Sequence, residues 1–228
     1  MGALRPPKER IHMIKKGIIF DLDGTLWDTS EKVMPAWNIV LKRYPELNKQ
    51  ITQEEMNSFF GKTIDEIAKM MLPDTEEQKR LDIMKECCRE EQEYLSKYGG
   101  VLYPGLEKTL QELNKKYSLY IVSNCQDGYL QTFLNFHKLN SYFADFEMSG
   151  RTGMKKAENI KEIIKRNALD KAIYIGDTTD DRSAAEGAGI PFVFADYGFG
   201  TVNDTKYSIS KIGDLVVTAD DAMNERVD

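Results

Sequence analysis

Short apolar runs punctuate the chain, and each stops at a glycine or polar residue. Gly17-Ile18-Ile19-Phe20 stops at Asp21, and Leu119-Tyr120-Ile121-Val122 stops at Ser123-Asn124. Ala172-Ile173-Tyr174-Ile175 stops at Gly176-Asp177, and Ile190-Pro191-Phe192-Val193-Phe194 at Ala195-Asp196. Runs this short, rich in Ile, Val and Tyr, suit strands buried on both faces. Segments of helical period lie between them. Apolar residues recur at 106, 110 and 113, at 129, 130, 133, 134 and 136, and at 160, 163 and 164; a small-residue stretch covers 183–188. Strand and helix signals that alternate from about residue 100 predict an α/β fold, a Rossmann-like parallel sheet with helices on both faces.

Residues 29–99 follow another rule and show no strand pattern. Val33, Met34, Trp37, Val40, Leu41 and Tyr44 are spaced to share one helix face, with Pro35 near its start as an irregularity. Thr52-x-x-Glu55 and Thr63-x-x-Glu66 are capping boxes that open two further helices, with Gly61 between them. A charged helix is expected from about Thr75 to Tyr98, with Leu81, Met84, Cys88, Gln92 and Leu95 along one side and Gly99-Gly100 ending it. The expected organisation is therefore a core formed by 1–28 and 100–228, with an all-helical cap inserted over 29–99. Residues 1–16, which include Arg5 to Arg10, have no clear role and are read as an arm outside the core.

Composition narrows the function. The 228 residues are 41% apolar and 30% charged, and 31 basic against 37 acidic residues give a net charge of −6. That sign disfavours nucleic acid and anionic membrane surfaces, while a local pocket can still oppose it for an anionic substrate. No apolar run approaches the ~20 residues a membrane helix needs, and Met1 to Lys16 lacks the apolar stretch of a signal peptide. Cys87, Cys88 and Cys125 make neither a disulfide framework nor a metal-binding pair, which suits a reduced, cytoplasmic chain. The two histidines, His12 and His137, stand beside no nucleophile and no second metal ligand. Serine–histidine and histidine-rich zinc chemistry are thereby disfavoured. Catalysis has to rest on carboxylates, lysine, hydroxyls or a bound ion.

Four clusters at strand ends carry such groups. Asp21 and Asp23 lie two residues apart and point the same way if the backbone stays extended. Two like charges that close need a cation between them or a proton on one of them. Either a magnesium site or a nucleophile beside an acid would result, and Gly24 permits the tight turn that follows. Ser123 and Asn124 offer a hydroxyl and an amide to an anion, or cap the next helix. Lys155-Lys156 precede a helix and could neutralise phosphate charge, or sit in solvent. Asp177 stands directly at a strand end, with Asp180 and Asp181 ready to cap the helix behind it. In a parallel sheet all carboxyl ends share one edge, and ligands bind there where the strand order reverses. Gathered on that edge, these residues make a place for a hard cation with oxygen ligands and a phosphoryl group.

At these positions the sequence resembles the haloacid dehalogenase-like superfamily, in its phosphatase branch. Asp21-Leu22-Asp23-Gly24-Thr25 matches the first motif, Ser123 and Asn124 the second, and Asp177 with Asp181 the fourth, Gly-Asp-x-x-x-Asp. Lys156 resembles the third, although Ala157 replaces the usual proline, so alignment has to choose between Lys155 and Lys156. Tyr103-Pro104-Gly105 and Ala188-Gly189-Ile190-Pro191 fit the same pattern, which spans about residues 17–215. The insert resembles the family's small helical cap, as in phosphoglycolate phosphatases.

The resemblance implies Asp21 as the nucleophile, Asp23 as general acid and then base, and Ser123, Asn124 and Lys156 as phosphoryl ligands. It implies Mg2+ held by Asp21, the Asp23 carbonyl and Asp177, with Thr25 and Asp181 in support. In this superfamily the acid at position 23 points to phosphoryl transfer. The loop Gly61-Lys62 would cover the site, where Lys62 either meets an anionic leaving group or lies in solvent. Trp27 and Trp37 suit the hinge and the cap core. The expected activity is a Mg2+-dependent phosphatase acting on a small phosphorylated metabolite, as a monomer or small homo-oligomer. A sugar phosphomutase shares the same motifs, and phosphonate cleavage through a cap lysine is a further variant. A phospho-accepting signalling domain would differ in lacking the insert and in placing the phosphorylated Asp on a later strand, and a non-catalytic binding protein is disfavoured because no core motif position is missing.

Overall fold

The computed structural model describes residues 14–225, so the expected arm lies, up to residue 13, outside the described residues. The chain enters through β1 (Lys16–Phe20), with Lys15 N donating to Asp170 Oδ2 at 2.7 Å. A short ribbon follows, in which β2 (Trp27–Asp28) pairs antiparallel with β3 (Val101–Leu102). Between these two strands run α1 (Ser30–Leu41), α2 (Gln53–Phe59), α3 (Ile64–Met71) and α4 (Glu77–Tyr98). After the ribbon come α5 (Leu106–Leu113), β4 (Ser118–Ser123), α6 (Tyr129–His137), β5 (Phe143–Met148) and the single turn α7 (Ser149–Thr152). The chain ends with α8 (Lys156–Arg166), β6 (Lys171–Gly176), α9 (Thr179–Ala188), β7 (Phe192–Ala195), β8 (Ser208–Ile209) and α10 (Leu215–Met223).

The main sheet has six strands in the order β5-β4-β1-β6-β7-β8, and every pairing is parallel. Its central strands are apolar throughout because both faces are covered. Ile18, Phe20, Leu119, Ile121, Ile173 and Ile175 pack one way, against Leu110, Phe133 and Leu215. Ile19, Tyr120, Val122 and Tyr174 pack the other way, against Ile160, Ile163 and Ala185. Alternate side chains thus feed opposite cores, as the two-residue period of a strand requires. The chain leaves β1 for β4 on one side and returns for β6 on the other. The strand order therefore reverses at β1, and the carboxyl ends of β1, β4 and β6 form the crevice.

Both capping boxes form, so the Thr52 and Thr63 hydroxyls accept from the N–H groups of Glu55 and Glu66. Helix α4 differs in phase from the stripe expected for it. Its buried face is Ile83, Met84, Cys87, Glu91 and Leu95; Leu81, Cys88 and Gln92 lie beside that face, only partly covered. The apolar pattern admits both phases, and contact with α1 chooses the one that buries an acid. Trp27 is fully buried at the root of the insert, edge-on to Phe133 with ring centroids 5.0 Å apart.

Candidate active site

Asp21 comes first after β1, where its N–H bonds Ile175 O at 2.8 Å and prolongs the ladder to β6. Ser123 closes β4, Asp177 follows β6, and Lys156 opens α8. The parallel register brings the three strand ends level. Gly24 then turns the chain with φ +80°, and any side chain there would collide with the Asp177 carboxylate. Lys156 Nζ donates to Asp21 Oδ1 at 2.9 Å and to Asp181 Oδ1 at 2.6 Å. All three of these residues are buried, whereas Lys155 is exposed. Of the two lysines, Lys156 is the one that reaches Asp21.

Asp181 is fully engaged. Its Oδ2 accepts from the N–H groups of Asp177 and Thr178 and from the Thr178 hydroxyl, which makes it the inward half of a capping box on α9. Asp177 Oδ2 accepts from Phe199 N at 2.7 Å, and Asp177 Oδ1 is buried with no hydrogen-bond partner among the described residues. Carboxylate oxygens of Asp21, Asp177 and Asp181 lie within 4.8 Å of one another. Burial and then the Asp181 charge raise Asp21 well above the usual carboxylate range, although Lys156 opposes this. The same two causes push Asp177 up to about 7. Burial works against the Lys156 charge, but Asp181 and Asp21 more than restore it, so its pKa stands raised. Three acids facing one ammonium leave negative charge unmatched. An all-oxygen set with an orphaned, buried carboxylate oxygen fits a hard divalent cation.

Asp23 has a separate environment. Its Oδ1 accepts from Tyr129 OH at 2.8 Å and from Thr29 Oγ1 at 3.1 Å. Burial pushes this carboxyl up to about 6, against those hydrogen bonds. Two carboxyls two residues apart are thus held for different work, one against an ammonium and one against hydroxyls. Thr25 is buried, its hydroxyl without a partner among the described residues.

A cleft opens above Asp21 and Asp23, between the sheet edge and the helical insert. Ser123 lines it, with its Oγ accepting from Cys125 N at 3.3 Å. Asn124 also lines it, but its Nδ2 donates to Gly61 O at 2.8 Å and its Oδ1 accepts from Ser149 Oγ at 2.8 Å. The Asn124 amide therefore ties the loop between α2 and α3 to the core. Lys62, on that loop, pairs with Asp180 at 2.7 Å, where both side chains are partly exposed. The structure thus brings Asp21, Asp23, Ser123, Lys156, Asp177 and Asp181 together, with Asn124, Gly61 and Lys62 at the rim.

Three polar wall residues were not anticipated from the sequence: Tyr129, Gln126 and Glu91. Glu91 lies within α4, where its Oε2 accepts from Trp37 Nε1 at 3.1 Å and from Gln126 Nε2 at 3.1 Å. A signal for it existed. Positions 84, 87, 91 and 95 make an apolar helical stripe with one acid in it, and an acid in such a stripe is buried for a reason.

A Rossmann-like sheet whose switch point gathers a strand-end nucleophile candidate, a second acid, a buried lysine and a cation-ready carboxylate defines a group-transfer or hydrolytic α/β enzyme. The haloacid dehalogenase-like hydrolase family matches residues 18–195, and this chain belongs to it. Over 217 residues the chain is 26% identical to a phosphoglycolate phosphatase of Aquifex aeolicus (strain VF5), covering 91% of this chain and 98% of that protein. A phosphoglycolate phosphatase of Nitrosospira multiformis is 28% identical over 205 residues, covering 83% and 86%. A solved haloacid dehalogenase-like family hydrolase from Streptococcus pneumoniae superposes with a TM-score of 0.74 at 23% identity, over 90% of this chain and 97% of that one. Among the described residues no helix is long and apolar enough to cross a membrane.

Proposed function

We propose that the chain hydrolyses a small phosphomonoester through an aspartyl-phosphate on Asp21. The observation that carries this reading is the arrangement at the switch point. Asp21 is held by Lys156, and Asp23 is held two residues away by Tyr129 and Thr29. The carboxylate of Asp21 attacks phosphorus, and the bond to the leaving oxygen breaks. Asp23 gives its proton to that oxygen. It then takes a proton from the water that attacks the aspartyl-phosphate, which releases phosphate and restores Asp21. A carboxyl lifted to about 6 can serve in both directions near neutral pH. Lys156 and Ser123 face the transferring oxygens. Mg2+ bound by Asp21, the Asp23 carbonyl and Asp177 would offset the dianion's charge and polarise a phosphoryl oxygen.

Phosphate monoester hydrolysis can demand up to ~10²¹-fold acceleration. A general acid supplies only about 10² to 10⁴ of it. Positioning and preorganised charge must supply the rest, which is why the whole constellation and not one residue supports the reading. Residues 29–99 act in this account as a cap over the leaving group, excluding bulk water when closed.

The test is phosphate release, with and without Mg2+, from a panel holding phosphoglycolate, sugar phosphates and p-nitrophenyl phosphate. Asp21→Asn is expected to abolish release while circular dichroism stays unchanged. Substantial turnover by a pure, folded Asp21→Asn protein would remove Asp21 from the nucleophile's role.

A further inference from the structure

The part of the lining that the insert contributes has a composition of its own. Val33, Trp37, Met56, Phe59 and Ile64 supply apolar walls. The cation among the described lining residues, Lys62, is paired with Asp180. Lys156 is committed to Asp21 and Asp181 below. Acids, in contrast, are abundant, since Asp21, Asp23 and Glu91 all line the space.

Glu91 is 4% exposed, on a helix whose sequence could have placed any apolar residue there. Both of its hydrogen bonds, from Trp37 and Gln126, end on Oε2. Among the described residues no hydrogen bond engages Oε1, while Glu91 lines the cavity. If its role were only to join Trp37 to Gln126, one oxygen would do. Oε1 is open to the cavity, where water or a bound molecule supplies its partner.

Resting on the phosphatase reading above, we infer that Glu91 reads the leaving group. It selects phosphomonoesters whose alcohol carries a hydrogen-bond donor, a hydroxyl or an ammonium, and no negative charge. A carboxylate or second phosphate in that position would be buried against apolar walls with no free cation among the described lining residues to pair it. A hydroxyl exchanges a hydrogen bond with the protonated Glu91 Oε1, an ammonium displaces that proton and pairs with the carboxylate, and the carbon chain that carries either group packs on Trp37 and Phe59. A site built around a buried polar group also discriminates against an analogue lacking the matching donor, because that group is then left unpaired.

The experiment compares kcat/KM of the full chain with Mg2+ on five esters. Glycerol phosphate and phosphoethanolamine carry the donor, propyl phosphate lacks it, phosphoglycolate carries a carboxylate, and p-nitrophenyl phosphate reports the core chemistry. At least one donor ester is expected to exceed both propyl phosphate and phosphoglycolate by tenfold or more. Which of the two does so tells a hydroxyl from an ammonium. In Glu91→Leu the preference for that ester over propyl phosphate should fall at least tenfold, mainly through KM. Glu91→Gln keeps an acceptor for Trp37 and Gln126 and an amide for the ligand, so it should retain most of a preference for a hydroxyl. Turnover of the aryl ester with phosphoglycolate favoured, or with no preference among the alkyl esters, would overturn the inference while the phosphatase reading stands. Equal losses on donor and propyl esters in Glu91→Leu would do the same. Release from none of the five, aryl ester included, would overturn both.

Discussion

Two carboxyls of the cavity differ in what burial does to them. Asp23 is hydrogen-bonded by two hydroxyls and rises to about 6. Glu91 is buried with only Trp37 and Gln126 for company and rises to about 8, burial being the main cause and the Asp23 charge a smaller one. An ordinary Glu releases its proton near 4.3, so between about 4.5 and 8 the folded protein keeps a proton on Glu91 that the unfolded chain has lost. Stability therefore falls as pH rises through that window and levels off above it. Glu91→Gln removes this contribution and leaves those of Asp21, Asp23 and Asp177 in place. Denaturant unfolding at pH 5 and pH 8 is expected to show the variant losing less stability than the wild type between the two pH values. The difference should be on the order of a few kcal/mol. Parallel losses in the two proteins would mean that Glu91 is ionised in the folded state.

The loop between α2 and α3 shows how elements position a site. Thr52 and Thr63 boxes fix the starts of both helices, and Gly61 makes the turn between them with φ +82°. A Cβ at Gly61 would meet the Thr178 side chain at 3.2 Å, so the loop lies close on the loop that leads into α9. Asn124 and Asp180 then hold it from the core side. The Lys62–Asp180 pair is partly exposed on both sides, and such pairs contribute about 0.2–1 kcal/mol. Removing it can shift a closed–open equilibrium by roughly fivefold at most. Lys62→Ala is therefore expected to lower kcat/KM by no more than about fivefold, and equally on acidic and neutral esters. A larger loss confined to phosphoglycolate would assign Lys62 to an anionic leaving group instead. Strand ends were the most legible elements in the sequence. Strands β1, β4 and β6 are buried on both faces, so each apolar run had to stop where a polar group was wanted. Strand β5 gave no such run because it is the sheet's edge, where Asp145 and Glu147 meet Arg166. Strand β8 is two residues long and carries no period at all.

For the molecule as a whole, the insert's helices were legible from their caps, but the cavity between insert and core was not. Its walls come from 33–67, 91 and 123–129, and no local pattern records that they face one another. The phase of α4, which decides whether Glu91 faces that cavity, is settled by packing on α1 and not by the helix's own sequence. The acidic centre is global in the same sense. Asp21, Asp177 and Asp181 are brought within 4.8 Å only when β1 and β6 align. Folding thus concentrates negative charge in a molecule already at −6, with Lys156 alone among the described residues inside the cluster to oppose it. A divalent cation that binds the folded form relieves this and raises stability by mass action, by about 2.7 kcal/mol at a hundredfold excess over Kd. In a chain of this size that corresponds to a rise of about 5–10 °C in the thermal midpoint. Asp177→Asn removes the carboxylate whose Oδ1 stands buried and unpartnered, together with one of the mutually repelling charges. Its midpoint without metal is expected to equal or exceed that of the wild type, and its response to Mg2+ to shrink to a small fraction. Scanning calorimetry with Mg2+ and with chelator measures both. A full Mg2+ shift in Asp177→Asn would place the cation elsewhere and leave the orphaned oxygen without an explanation.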